Sequence, residues 1–91
     1  MQLRWTEEAA NDLERIADYL VQNTPGRAQT LVQRIYDAAG SLLTLPHRGR
    51  PGKVKGTREL VLSALPYVVV YVVREDSVVV VRILHAAQQW P

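Results

Sequence analysis

Residues 67–84, YVVVYVVREDSVVVVRIL, consist of two runs of β-branched and aromatic side chains separated by a short polar segment. Val, Ile and Tyr suit a pleated, packed surface, so the runs predict β-strands over 67–73 and 77–84. The polar residues 74–77 are typical of a tight turn, which makes the two strands an antiparallel hairpin. Alternation places Tyr67 and Tyr71 on the same face of the first strand.

The preceding half of the chain has helical periodicity. Residues 2–5 alternate like a short strand, and two segments with apolar residues at helical spacing follow, separated by turn residues. We expect Thr6 to cap the first helix and Thr24 to cap the second, with Pro25 as its first residue. Asp12 is expected to face outward. The expected apolar stripes are Ala9, Leu13, Ile16, Ala17 and Leu20 in the first helix, and Ala28, Leu31, Val32, Ile35, Ala39 and Leu42 in the second.

A basic loop follows the second helix, and the period then returns to two, which predicts a strand over 57–63 ahead of the hairpin. The predicted order is β-α-α-β-β-β. This order indicates an α+β fold in which an N-terminal strand and an antiparallel helical hairpin pack on a small, mostly antiparallel sheet. The chain of 91 residues is expected to form one domain over residues 1–91.

Composition excludes several classes of protein. The absence of Cys excludes disulfides and a thiolate zinc site. Two His without a plausible carboxylate cluster predict no metal, and nothing predicts a cofactor. The longest apolar run, 68–73, is too short to span a bilayer, and no export signal opens the chain. We therefore expect a cytoplasmic protein without membrane contact.

Charge is distributed unevenly between the two halves of the chain. Residues 1–45 carry a net charge of −2 and residues 46–91 a net charge of +4. The segment 47–58 contains five cations and no acid, namely Arg48, Arg50, Lys53, Lys55 and Arg58. Such a segment attracts polyanions, either nucleic acid or an acidic protein segment. The alternative is a solvated loop whose charges keep the protein soluble.

The end of the last strand carries residues that a buried strand does not need. Arg82 and His85 stand beside a hydrophobic run, and Gln88 and Trp90 follow in a segment that we expect to be exposed. A guanidinium is always charged and an imidazole titrates near neutrality, so the sequence predicts a working surface at this end. Regular alternation places His85 on the opposite face from Arg82. Tyr71 could offer its hydroxyl to a ligand, although a core position with the hydroxyl bonded at the rim is the more common arrangement.

The whole chain resembles toxins of the RelE/ParE superfamily, which belong to type II toxin–antitoxin systems. The similarity rests on the order and spacing of short motifs along the sequence. These are Trp5-Thr6-Glu7-Glu8-Ala9, Asp12-Leu13, Tyr19-Leu20, Leu45-Pro46, Arg48-Gly49-Arg50-Pro51, Thr57-Arg58-Glu59-Leu60, Tyr67 to Tyr71, Arg82-Ile83-Leu84-His85 and Trp90-Pro91.

The resemblance implies a helical hairpin against a curved antiparallel sheet, and a cognate antitoxin whose acidic segment wraps the toxin. It also implies one of two activities. RelE-like members cleave ribosome-bound mRNA; here Arg58, Arg82 and His85 would then be catalytic, with phosphate held by the arginines and a proton moved by His85. ParE-like members inhibit DNA gyrase without a catalytic set. Under either activity, the residues expected to contact the target or nucleic acid are Arg48, Arg50, Lys53, Lys55, Tyr71, Gln88 and Trp90.

Because the sequence offers His85 no evident second proton-transfer group, we favour the ParE-like interpretation. Two other classes remain open. A toxin relative without activity would act as an antitoxin-binding corepressor. A simple RNA-binding module would use the basic loop, and would show salt-sensitive affinity for RNA without toxicity.

Overall fold

The computed structural model describes all 91 residues and confirms the predicted α+β order, with one additional short strand. Its elements are β1 (Gln2–Trp5), α1 (Glu7–Asn23), α2 (Ala28–Ser41), β2 (Arg50–Pro51), β3 (Arg58–Val61), β4 (Tyr67–Val73) and β5 (Ser77–His85). The strands form one sheet in the order β1-β5-β4-β3-β2. Strand β1 is parallel to β5, and the other pairs are antiparallel. Neither helix is long and apolar enough to cross a membrane.

Thr6 caps α1, as predicted, and also ties the helix to the sheet. Its Oγ1 accepts a hydrogen bond from the Ala9 N–H at 3.0 Å, which satisfies one of the free amides of the first helical turn. The same hydroxyl donates to the Val81 carbonyl at 2.8 Å. The Thr6 N–H donates to the Val80 carbonyl at 3.0 Å. Helix α1 therefore begins directly beside the middle of β5.

The predicted start of the second helix was wrong. Thr24 ends α1 instead of capping α2, because its N–H and its hydroxyl both donate to the Leu20 carbonyl, at 2.7 and 3.2 Å. The Arg27 N–H then donates to the Thr24 carbonyl at 2.9 Å and closes a turn that contains Pro25. Helix α2 consequently starts at Ala28, without a side-chain cap.

The main core lies between the helical hairpin and one face of the sheet. The predicted α2 stripe is confirmed, since five of its six residues are buried and Val32 is partly buried. Tyr67 and Tyr71 lie on the helix-facing side of β4, also as predicted. The twelve buried residues of this cluster are Ala9, Ile35, Ala39, Leu42, Leu60, Leu62, Tyr67, Val69, Tyr71, Val78, Val80 and Ile83.

A β-bulge in β5 changes the faces predicted for its second half. Val70 is opposite Arg82 and Tyr71 is opposite Val80, which leaves Val81 without a partner. Regular alternation from the sequence would place Val80, Arg82 and Leu84 on one face, and the bulge moves Val80 to the other. Val80 lies in the main core, whereas Leu84 packs in a small cluster on the opposite face of the sheet.

The basic loop is more ordered than the sequence indicated. Residues Arg50 and Pro51 form β2 and pair with β3, with Arg50 opposite Glu59. Strand β3 is shorter than the predicted 57–63 and ends at Val61. The turn that follows contains Ala64 at a positive φ of 63°, a left-handed conformation that strand residues do not adopt.

Candidate functional site

A buried ion pair joins α1 to the end of β5. Strand β1 pairs with β5 only as far as Val80, so the outer edge of β5 loses its strand partner beyond that point. Asp12 replaces the missing strand, because its Oδ2 accepts the Ile83 N–H at 3.0 Å. Arg82 donates from Nε to Oδ2 at 2.6 Å and from Nη2 to Oδ1 at 3.1 Å. Arg15 also donates to Oδ1, at 2.6 Å.

The prediction that Asp12 faces outward was wrong. Its side chain is only 4% exposed. A carboxylate that is buried to this extent requires charged or hydrogen-bonding partners. Four hydrogen bonds, donated by Arg82, Arg15 and Ile83, satisfy this requirement. No signal in the helical stripe distinguishes Asp12 from the other acids of α1, because two of its partners lie at the far end of the sequence.

The same contact decides the chemistry of Arg82. Hydrogen bonding to Asp12 raises the pKa of the guanidinium above its ordinary value, and the negative charges of Asp12 and Glu8 act in the same direction, against the effect of burial. Arg82 is therefore permanently charged, and its fork is already engaged by a carboxylate inside the molecule. A phosphate would have to compete with Asp12 for it.

Arg58 and Tyr71 hold the start of the basic loop. The Tyr71 hydroxyl donates to the Pro46 carbonyl at 2.7 Å and accepts the Gly49 N–H at 2.9 Å. Arg58 Nη2 donates to the carbonyls of His47 at 3.0 Å and Gly49 at 2.6 Å. Tyr71 has no exposed surface, so its hydroxyl is not available to a partner in this conformation. This is the core arrangement, with the hydroxyl bonded at the rim.

Replacing Tyr71 with Phe is expected to lower the free energy of unfolding by about 1–3 kcal/mol, because the buried Gly49 N–H loses its partner. Tyr36→Phe is the matched control, since Tyr36 is 51% exposed and loss of its hydroxyl leaves no buried N–H without a partner. Urea denaturation of both variants measures the difference. Equal stabilities for the two variants would contradict the role given to the Tyr71 hydroxyl.

His85 lies at the end of β5, where the chain turns back. The side chain is exposed, and its ring packs edge-on against Tyr67 with the centroids 5.9 Å apart. Nδ1 accepts the Ala87 N–H at 3.1 Å, so the neutral imidazole carries its proton on Nε2. Gln88 closes the turn, donating its N–H to the His85 carbonyl at 2.9 Å and accepting the His85 N–H on Oε1 at 3.3 Å.

His85 and Gln88 separate two cavities. The first, which we call the α1 cavity, has a volume of about 320 Å³. The second, which we call the tail cavity, is smaller at about 90 Å³. The α1 cavity is lined by Asp12, Arg15, Ile16, Tyr19, Pro66, Tyr67, Ile83, His85 and Gln88. The tail cavity is lined by Arg50, Lys53, Glu59, Val68, Leu84, His85, Ala86, Gln88 and Trp90.

Part of the predicted target-binding set converges on the tail cavity. Glu59 organises its charged side, accepting Arg50 Nη2 at 3.0 Å and the backbone N–H of Lys53 at 3.2 Å. Trp90 forms the apolar side and packs against a cluster of three buried residues, Val68, Val70 and Leu84. Glu59 was not identified from the sequence, because an acid that directly follows a basic segment resembles an ordinary surface charge.

The remaining predicted residues lie elsewhere. Arg48 is exposed and donates to the Ser41 Oγ at 2.7 Å. Lys55 is exposed in the turn between β2 and β3. Arg58 and Arg82 line neither the α1 cavity nor the tail cavity. The structure therefore brings His85 together with Arg50, Lys53, Gln88 and Trp90, and leaves both arginines of the candidate catalytic set engaged by internal acceptors.

The cavities contain few groups able to transfer a proton near neutral pH. Burial raises the pKa of the Tyr67 phenol, with a further contribution from Tyr19, so Tyr67 stays neutral and acts only as a hydrogen-bonding group. No group of three or more His, Cys, Asp or Glu side chains is arranged to hold a metal ion. The arrangement offers one exposed imidazole, a carboxylate paired with Arg50, and an aromatic surface rimmed by cations.

Comparisons with known proteins agree along almost the whole chain. Residues 3–90 match the family model described as the ParE toxin of the type II toxin–antitoxin system parDE. The chain is 42% identical over 89 residues to "Putative toxin Y4kP" of Sinorhizobium fredii, covering 98% of this chain and 92% of that protein. It is 44% identical over 87 residues to "Toxin RelE2" of Caulobacter vibrioides, covering 96% and 97%.

A solved structure, the "Chromosomal ParDE TA system from P. aeruginosa", superimposes with a TM-score of 0.84 at 33% sequence identity. The match covers 93% of this chain and 95% of that one. The helical hairpin and the mixed sheet described above are thus the fold of a toxin from such a system. The chain belongs to the ParE toxin family of type II toxin–antitoxin systems, within the RelE/ParE superfamily.

Proposed function

We propose that this toxin arrests bacterial growth by binding DNA gyrase and does not cleave RNA. The state of Arg58 and Arg82 is the observation that carries the proposal. Each guanidinium is bonded to acceptors of its own chain, to the His47 and Gly49 carbonyls and to Asp12 respectively. Phosphodiester cleavage needs cations free to stabilise a developing charge, together with a matched acid and base. Binding to gyrase requires neither free cations nor an acid and base.

The contact with gyrase is assigned to the C-terminal surface, which we define as His85, Gln88 and Trp90 together with Arg50 and Lys53. An indole beside basic side chains suits a protein partner, because Trp and Arg are the residues most often found at the energetic centres of interfaces. Trp90 is half-buried against Leu84, so it is held in place before a partner arrives. A preorganised anchor loses little conformational entropy on binding.

A ribosome-dependent mRNA endonuclease is the second candidate, and one observation favours it. His85 and Glu59 line the same tail cavity as Arg50 and Lys53. An imidazole and a carboxylate could divide the proton transfers, and the two cations could hold the phosphate. Glu59 is occupied by Arg50 and by the Lys53 amide, so this arrangement would have to open before it could act as a base.

The family also supplies a cognate antitoxin as partner. We propose that its toxin-binding segment is acidic and that the complex forms in the cytoplasm. The positive charge of the second half of this chain supports an acidic partner, since residues 46–91 carry a net charge of +4. Neutralisation would then depend on ionic strength, as binding between oppositely charged surfaces does.

Inducing the chain in bacteria is expected to arrest growth, with filamentation and an induced DNA-damage response because blocked gyrase leaves broken or unreplicated DNA. Co-expression of the protein from the adjacent reading frame should restore growth. Growth rate, cell length and a DNA-damage reporter give the readouts. Arrest without the damage response would count against gyrase and favour the ribosome.

Unimpaired growth of cells with verified soluble expression of the chain would contradict the proposed toxin function. The chain would then act as an antitoxin-binding corepressor or as an RNA-binding module. The second of these is recognised by RNA affinity that falls steeply with salt.

A further inference from the structure

The α1 cavity contains a tyrosine hydroxyl without a hydrogen-bond partner. Tyr67 is only 6% exposed, and its ring belongs to the main core. Its hydroxyl forms no hydrogen bond within the chain and is still accessible, because Arg58 Nε is the only fully buried side-chain nitrogen or oxygen atom that lacks a partner. The hydroxyl of a tyrosine at this depth usually finds a partner. Since Tyr67 lines the α1 cavity, its hydroxyl is available there to a ligand.

Other side chains of the cavity also have free hydrogen-bond donors. Arg15 is exposed and uses only Nη2 to reach Asp12, which leaves the rest of its guanidinium free. Gln88 accepts the His85 N–H on Oε1, and its side-chain NH2 group has no partner within the chain. Because His85 Nδ1 accepts the Ala87 N–H, the donor of the neutral imidazole is Nε2. Free donors therefore surround the cavity.

Free acceptors, in contrast, are scarce. Asp12 is the only acid of the lining, and its two oxygens already accept four hydrogen bonds from its own chain. An ionised carboxylate has about four lone-pair sites, so Asp12 has none left for a ligand. Glu8, whose charge acts on Arg82, does not line the cavity. The surplus of donors selects a ligand group that accepts hydrogen bonds, and the Arg15 guanidinium favours a negative charge on that group.

The remaining walls of the cavity suit a flat, apolar body. Ile16, Pro66 and Ile83 supply aliphatic surface, and Tyr19 and Tyr67 supply two aromatic rings. The two phenols are close enough for Tyr19 to contribute to raising the pKa of Tyr67. The volume of about 320 Å³ is at the lower end of the range of small-molecule pockets, so the ligand has to be small.

We propose that the α1 cavity is a binding site for a small aromatic carboxylate. The ring of the ligand packs against Tyr19 and Tyr67, and its carboxylate accepts hydrogen bonds from Arg15 and from the Tyr67 hydroxyl. The lining holds one permanently charged cation, Arg15, so a singly charged carboxylate suits it better than a phosphate ester with nearly two charges. The site lies beside the C-terminal surface, and the proposal does not depend on which target the toxin binds.

Titration of the purified full-length toxin with indole-3-acetate, followed through the NMR shifts of its backbone amides, tests the site. Saturable binding is expected with a dissociation constant of about 1 mM or tighter. The amides of Ile16, Tyr19 and Tyr67 should shift, and that of Gln33, exposed on α2, should not.

Indole-3-acetamide and indoxyl phosphate are the matched probes, since they keep the ring and change the charged group. Both are expected to bind at least about fivefold more weakly than indole-3-acetate, the amide because it lacks the negative charge. Equal affinity for the acid and the amide, tighter binding of the phosphate, or shifts that leave out the cavity amides would each overturn the proposal.

Substitutions in the lining test the same contacts. Tyr67→Phe removes only the unpartnered hydroxyl, and Arg15→Gln removes the charge while three other hydrogen bonds to Asp12 remain. Each is expected to weaken binding of indole-3-acetate by about fivefold or more. Tyr36→Phe and Arg74→Gln are the matched controls, because neither residue lines the cavity, and should stay within about twofold of the wild type.

Thermal unfolding verifies that the four variants are folded. Wild-type affinity in both folded lining variants, or equal losses in the lining variants and their controls, would overturn the assignment to the α1 cavity. The titration contains no gyrase, and none of the substitutions alters a residue of the C-terminal surface. A negative result here therefore leaves the gyrase proposal intact.

Discussion

Replacing Asp12 with Ala is expected to lower the free energy of unfolding by about 3–5 kcal/mol, the usual cost of removing one partner from a buried ion pair. The physical reason is that Arg82 keeps its charge in a half-buried position and the Ile83 N–H loses its acceptor. A domain of this size is only about 5–15 kcal/mol more stable than its unfolded state. The variant should therefore be close to unfolding at growth temperature.

Urea denaturation measures this prediction against Asp18→Ala, which removes an exposed acid from the same helix. Arg82→Ala is expected to cost a comparable amount, because it leaves the Asp12 carboxylate buried. The double variant should cost clearly less than the sum of the two, as is usual for residues in direct contact. An Asp12→Ala variant as stable as Asp18→Ala would show that this ion pair does not hold α1 to the sheet.

The sequence predicted those parts of the fold that depend on local periodicity. The hairpin of β4 and β5 follows from alternating β-branched residues around a polar turn, and the α2 stripe from apolar residues at helical spacing. The Thr6 cap follows from a hydroxyl residue immediately ahead of two acids. In each case the interacting residues are near neighbours in the chain, so their pattern is visible in the sequence.

The contacts that the sequence did not predict join distant residues. Arg82 and Asp12 are 70 positions apart, and neither alone indicates the other. The bulge at Val81 depends on how β5 pairs with β4. The parallel pairing of β1 with β5 joins the two ends of the chain. These features arise from tertiary packing, which overrides the regular alternation assumed for an isolated strand.

At the candidate site, the sequence identified unusual residue types but did not reveal the contacts that each of them makes. Arg58 and Arg82 are unusual as cations within hydrophobic strands, and both donate hydrogen bonds to acceptors inside the molecule. Tyr71 also has a structural contact, because its buried hydroxyl donates to the Pro46 carbonyl and holds the loop there. His85 and Trp90 are accessible, and they retain the functional interpretation as a proposal.

Trp90→Ala is expected to raise the toxin concentration required for half-maximal inhibition of gyrase about 30-fold or more, since truncating a central interface residue costs about 2 kcal/mol or more. The indole packs against Leu84 at the tail cavity, so its loss removes the apolar part of the C-terminal surface. Growth arrest on induction should weaken in parallel. Thermal unfolding verifies that the variant remains folded.

His85→Gln is the matched comparison within the same surface. Glutamine keeps a hydrogen-bonding side chain and cannot transfer protons near neutral pH, so a gyrase inhibitor should retain activity within about threefold. In a ribonuclease, loss of a general acid or base lowers the rate by about 10²–10⁴-fold. If Trp90→Ala remained toxic while His85→Gln lost its toxicity, the proposed roles would be reversed. The toxin would then act as an enzyme.

We propose that the toxin acts on gyrase by binding. The most direct test of this proposal places the purified chain in a DNA supercoiling reaction with gyrase and, separately, on ribosomes programmed with a defined mRNA. We predict that supercoiling is inhibited in proportion to toxin concentration, that the antitoxin reverses the inhibition, and that the mRNA remains intact. Unaffected supercoiling together with mRNA cut at the ribosomal A site would contradict the proposal.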